Sequence, residues 1–107
     1  MYSLEEIIAR SYSENEIVLN YTDVMELLYW FGVNKTKIYG WEGWILHPSG
    51  KLGHSARYQG SADLETLPID SAIALTKSQI MQDNWEWSEK PEVEGGELLF
   101  CISADTE

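Results

Sequence analysis

Basic residues are scarce in this chain. Seven Lys and Arg stand against eighteen Asp and Glu, a formal net charge of −11. A phosphate-backbone binder needs cations to replace counterions, so nucleic acid is disfavoured as a partner. An anionic membrane surface is disfavoured for the same reason. Cysteine is rarer still. Cys101 stands alone, cannot form an internal disulfide, and suits a reducing compartment. With two His and one Cys, neither a metal site nor a cofactor is expected. Long apolar runs are missing, and no segment reaches the ~20 residues of a membrane span. The N-terminal stretch MYSLEEIIARS carries acids where a secretory signal needs bases. The expectation is a soluble cytoplasmic protein. The glycines match no phosphate fingerprint, because Gly40-x-x-Gly43 lies inside a strand-like run and no helix start follows it.

What the chain does have is apolar and aromatic mass. Its 107 residues are 44% hydrophobic, with five Trp and six Tyr. That is enough for one domain, residues 1–107, around one core. The densest signal is Ile38–Tyr58, which predicts a β-hairpin. Pro48 pre-sets φ for a turn, Ser49 suits the next position, and Gly50 can take the left-handed conformation. The resulting three-residue loop pairs Leu46 with Leu52, Trp44 with His54, Glu42 with Ala56, Trp41 with Arg57 and Gly40 with Tyr58.

Alternation then sorts the hairpin onto two faces. One carries Ile38, Gly40, Glu42, Trp44, Leu46, Leu52, His54, Ala56 and Tyr58 and is expected to look inward. The other sets Arg57 against Trp41, a cation–π geometry, and also carries His47. Gly40, Gly43 and Gly53 are unusual inside strands and imply a bulge, strong curvature or a close approach by another segment.

Elsewhere, Ser3 with Glu6 predicts a capping box opening a helix over about Leu4–Tyr12. Glu16–Tyr21 reads as a short strand, with a lead-in to the next helix as its alternative. Asp23 with Glu26 and then Gly32 predict the caps of a second helix, apolar nearly all round. A third helix is expected from Pro68 to about Asp83. Asn84–Ser88 alternates like a strand, and Glu97–Ser103 is apolar on both sides, as a central strand would be. These two runs are expected to form a second hairpin. The fold class is α+β: an antiparallel sheet of four to five strands with helices packed on one face.

For chemistry, Glu42 and His54 are the one candidate catalytic constellation, since a carboxylate can orient an imidazole for acid–base work. Trp44 and Tyr58 on the same face would wall a ligand pocket. Cys101 reads as a buried small hydrophobe rather than a nucleophile. Asp83 to Glu107 holds eight acids and one base, Lys90. Within it, Trp85, Glu86, Trp87, Glu89, Glu92 and Glu94 form a candidate partner-binding patch, aromatic anchors rimmed by charge. In overall profile the chain resembles the small acidic proteins encoded on bacterial mobile gene cassettes. It is similar in size and charge to immunity proteins that neutralise basic toxins. That resemblance implies a non-enzymatic binding protein for a basic protein partner. The alternative is a small-molecule cavity protein or small enzyme using Glu42 and His54. The apolar second helix points to a homodimer.

Overall fold

Three helices and a four-stranded antiparallel sheet are built from Tyr2–Thr106, the residues that the computed structural model describes. In chain order these are α1 (Leu4–Ile8), β1 (Ile17–Leu19), α2 (Tyr21–Asn34), β2 (Ile38–Leu46), β3 (Leu52–His54), α3 (Ile69–Glu89) and β4 (Glu97–Ala104). The strands lie in the order β1-β4-β2-β3. The α+β architecture is therefore as expected, with one helical layer on one sheet face.

Glu97–Ala104 does become a central strand. Cys101 pairs with Val18 of β1 on one side and with Glu42 of β2 on the other. Its alternation divides the molecule. Leu98, Phe100 and Ile102 enter the main core beside the helices, with Leu19, Val24, Leu27, Leu28, Phe31, Ile45 and Ile80. Leu99 and Cys101 face the other way and join Val18 in a smaller cluster. Phe100 sits at the centre of the larger one, its ring 5.8 Å from Trp41 and 6.3 Å from Tyr21.

The hairpin turn forms as read. His47 N–H donates to Lys51 O, Gly50 N–H donates to His47 O, and Gly50 has φ 90. The register next to it also holds: Leu46 opposes Leu52 and Trp44 opposes His54. The facing is the reverse of expectation. Trp41 and Ile45 are buried with the helices, whereas Glu42, Trp44 and Leu46 share the opposite face with His54. A register shift between Ile38 and Gly40 is one cause. The bulge lets Ile38 and Trp41 both point into the core, which strict alternation forbids. Burial also favours Trp41 because its indole N–H finds an acceptor, Gln79 Oε1, at 2.8 Å. The expected Arg57–Trp41 contact is lost, and Arg57 instead lies over the Tyr58 ring at 5.4 Å.

The second hairpin strand ends at His54, not Tyr58. Ser55 N–H still donates to Gly43 O, Ala56–Arg57 bows away from β2, and the chain then returns: Gly43 N–H donates to Tyr58 O, and Trp41 exchanges backbone bonds with Ser61. The backbones meet so closely that a Cβ on Gly43 would collide with the Tyr58 carbonyl and one on Gly60 with the Trp41 carbonyl. Gly60 also has φ 79, a second reason for glycine there. The close approach implied by the strand glycines is thus made by the chain itself.

The helices also depart from expectation. The Ser3–Glu6 capping box is present, but α1 stops at Ile8. The Ser11 hydroxyl explains the stop. It donates to Glu16 O and accepts from Val18 N–H, knotting the chain where a helix would have continued. α2 is capped by Asn20, whose side chain accepts from Asp23 N–H, so the Asp23–Glu26 box does not form. Asp23 is instead buried in an ion pair with Arg10 at 3.3 Å. Gly32 does not end α2. The stop falls at Lys35, in the left-handed conformation with φ 55. α3 runs through Asn84–Ser88 to Glu89, so the second hairpin is not formed. Two-residue alternation in NWEWS was outweighed by helical spacing, since Ile73, Thr76, Ile80 and Trp87 make one buried stripe.

Because Phe100 is fully buried and touched by both sheet and helix aromatics, Phe100→Ala should cost about 3–5 kcal/mol. Urea denaturation followed by tryptophan fluorescence measures it, and a loss below ~1 kcal/mol would contradict this account of the core.

Candidate functional site

The face of the sheet away from the helices is the candidate site. Alternation places Glu16 and Val18 on it from the β1 end, Glu97, Leu99 and Cys101 from β4, Glu42, Trp44 and Leu46 from β2, and Leu52 and His54 from β3. Trp44 and Leu46 lie over Val18, Leu99 and Cys101, making an apolar floor.

Glu42 and His54 do come together. His54 Nδ1 is 3.6 Å from Glu42 Oε1, and the same oxygen accepts from Trp44 Nε1 at 3.1 Å. The Trp44 and His54 rings are 4.7 Å apart. The pair is open to solvent, with side-chain exposures of 66% for His54 and 44% for Glu42. Tyr58 does not wall it. Its ring is buried on the helical side against Trp87, at 6.0 Å. Removing His54 would therefore leave no buried, unpaired carboxylate.

Beside this pair lies a residue that sequence reasoning left out. Glu16 Oε2 accepts from Cys101 Sγ at 3.5 Å, and ligand atoms of Glu16, Glu42 and Cys101 all fall within 4.8 Å of one another. Glu16 and Cys101 are 85 positions apart, so only the β1–β4 pairing unites them. Burial, then the hydrogen bond to Glu16 and the charges of Glu16 and Glu42, push the Cys101 thiol up to about 12. It stays protonated at neutral pH, which removes it as a nucleophile. Two carboxylates and a protonated thiol are also a poor donor set for a soft metal, which requires the thiolate.

The six residues of the expected patch do not form one surface. Within α3, Trp85 and Trp87 point about 200° apart. Trp85 is 60% exposed and Trp87 only 9%. Glu86 accepts from Gln82 Nε2, while Glu89 and Glu94 are exposed. Glu92 is a structural clamp. Its carboxylate accepts from Ser55 Oγ at 2.7 Å, Ala56 N–H at 3.1 Å and Arg57 N–H at 3.2 Å. These bonds hold the bow that ends β3. Burial alone would raise the Glu92 carboxyl, but the bonds from Ser55, Ala56 and Arg57 and the Arg57 charge outweigh it and hold it below the ordinary value.

Glu92→Ala should therefore destabilise the protein by about 0.5–1.5 kcal/mol at neutral pH, since water screens the bonds of an exposed carboxylate. The folded-state pKa is depressed, so this contribution is present above the unfolded Glu value of about 4.3 and is lost as pH falls through the lower folded value. Urea melts of the two proteins at pH 7 and at low pH check both parts, and a pH-independent gap would contradict the ionised clamp.

No family model, curated protein or solved structure matches this chain.

Proposed function

We propose that this chain is a non-enzymatic binding protein that takes a basic protein partner on the uncovered sheet face. The observation that carries this reading is the pairing of an apolar floor, Trp44 and Leu46, with two close carboxylates, Glu16 and Glu42. Neither carboxylate meets a Lys or Arg among the described residues. Like charges held this close call for a cation, and an Arg or Lys side chain would satisfy both while resting on the Trp44 indole. The net charge of −11 adds long-range steering toward such a partner. The reading fits the resemblance to immunity proteins and to mobile gene cassette proteins, and the lone buried thiol fits a cytoplasmic setting. An enzymatic or cavity role for Glu42 and His54 has less support, because the pair lies on an open face with Tyr58 on the other side of the sheet. The sheet face is preferred to Asp83–Glu97 because Trp87 and Glu92 are spent on packing and clamping.

Titrating the isotope-labelled protein with a tetra-arginine peptide tests this. The Trp44 indole resonance should move, the Trp85 indole should not, and the shifts should shrink as salt rises from about 0.05 to 0.15 M. Glu16→Gln combined with Glu42→Gln should remove the effect, and movement confined to Trp85 would overturn the placement.

The expected homodimer finds its support on α3 rather than on α2. Ser71, Ala74, Ser78, Met81 and Trp85 recur at intervals of three and four opposite the buried stripe, and none is charged. In a chain of charge −11, an uncharged face with Met81 and Trp85 more than half exposed is where a second copy can approach without like-charge contact. Light scattering should return about twice the 12.3 kDa chain mass, and Trp85→Glu should return the single mass. A single mass for the unaltered protein would overturn pairing.

A further inference from the structure

A cleft lies away from the sheet face, between α3 and the segment that returns to β2. It measures about 640 Å³ and is lined by Trp41, Arg57, Gly60, Gln79, Gln82 and Asp83 among others. Its polar groups have an arrangement that the fold does not use.

Gln79 is fixed in the wall. Trp41 Nε1 and Ser61 Oγ both donate to its Oε1, at 2.8 and 2.9 Å. Two donors on one oxygen set the amide orientation. The Nε2 donor is left without a partner among the described residues. Gln82 is held similarly, its Nε2 donating to Glu86 Oε1, which leaves its own oxygen free.

Two opposite charges also line this cleft, and they do not pair with each other. Arg57 forms no salt bridge among the described residues, although it lies on the same cleft as Asp83. Asp83 is only partly exposed and has no cationic neighbour. Burial, then the nearby Glu86 charge, push its carboxyl up, and no positive group acts to lower it. No ion pair joins Arg57 to Asp83. A carboxylate and a guanidinium that line one cleft without pairing with each other suit a ligand that carries both signs.

We propose that this cleft binds a small zwitterion, a free amino acid or short peptide. Its carboxylate meets Arg57 and the Gln79 amide N–H, and its ammonium group meets Asp83. The guanidinium can take a carboxylate in bidentate fashion, and the pre-set Gln79 donor adds direction. The free Gln82 oxygen can accept from the ammonium or from a peptide N–H. The site is separate from the sheet face, so it stands or falls independently of the basic-partner reading.

The test is a magnetic-resonance titration with L-alanine, di-L-alanine and tri-L-alanine. The Trp41 indole N–H and the Gln79 side-chain amide serve as reporters. One length should give saturable shifts at both. Acetylating its amino group or amidating its carboxylate should each weaken binding about ten-fold or more, as loss of one charge-assisted contact implies. In Asp83→Asn the free and acetylated peptides should bind alike. In Arg57→Gln the free and amidated peptides should bind alike. Arg57 is exposed and Asp83→Asn preserves shape, so both variants should fold. If either does not, the blocked peptides on the unaltered protein carry the test alone. Absence of saturable shifts with all three ligands, or blocked peptides binding as tightly as free ones, would overturn the proposal.

Discussion

The pairing of β4 with β1 and β2 is the constraint on which the rest of this molecule depends. One strand supplies both faces of the sheet. Through Leu98, Phe100 and Ile102 it receives the helices, and through Leu99 and Cys101 it supports the uncovered side. Because β4 is hydrogen-bonded on both edges, its facing is not adjustable, and every neighbour must match it. The hairpin shows the effect. Trp41 turned inward and Trp44 outward because Trp41 opposes Ile102 and Trp44 opposes Leu99.

The same pairing makes the surface chemistry. β1 brings Glu16 to Cys101, and β2 brings Glu42 to the same residue from the other side. Two carboxylates from distant parts of the chain are thereby held close over an apolar layer. On the helical side, the returning segment lies flat on β2 only because Gly43 and Gly60 permit it. That segment and α3 enclose the polar cleft, with Gln79 locking one to the other. Two chemically different surfaces thus arise from one sheet, one acidic and open, one of mixed charge and recessed.

Much of this was legible in the residues, and the limits have physical causes. The Pro48-Ser49-Gly50 turn, the Ser3–Glu6 box and the apolar final strand are local signals, and each appears where the sequence indicates. The proximity of Glu42 and His54 followed from register next to the turn, which local chemistry determines. The choice of face was not local. Both hairpin faces carry a Trp, so alternation could not decide between them, and Gly40, which marks the bulge near Tyr39, does not say which face turns inward. Trp85 and Trp87 misled because strand and helix periods are hard to separate over five residues; Ile73, Thr76 and Ile80 upstream held the needed signal. Glu92 looked like one acid in an acidic stretch. Its bonds to Ser55, Ala56 and Arg57 span at least 35 positions and no short-range pattern announces them.

The strand order has a consequence for how this chain comes to be folded. β1 and β2 are not neighbours; each pairs with β4, which lies between them and is the last element in sequence. During synthesis both therefore wait with a free edge until residues 97–104 have left the ribosome. Helices can form early, but the apolar faces that they bury have no sheet to meet. An early stop anywhere before Glu97 would leave β1 unpaired and β2 joined only to β3.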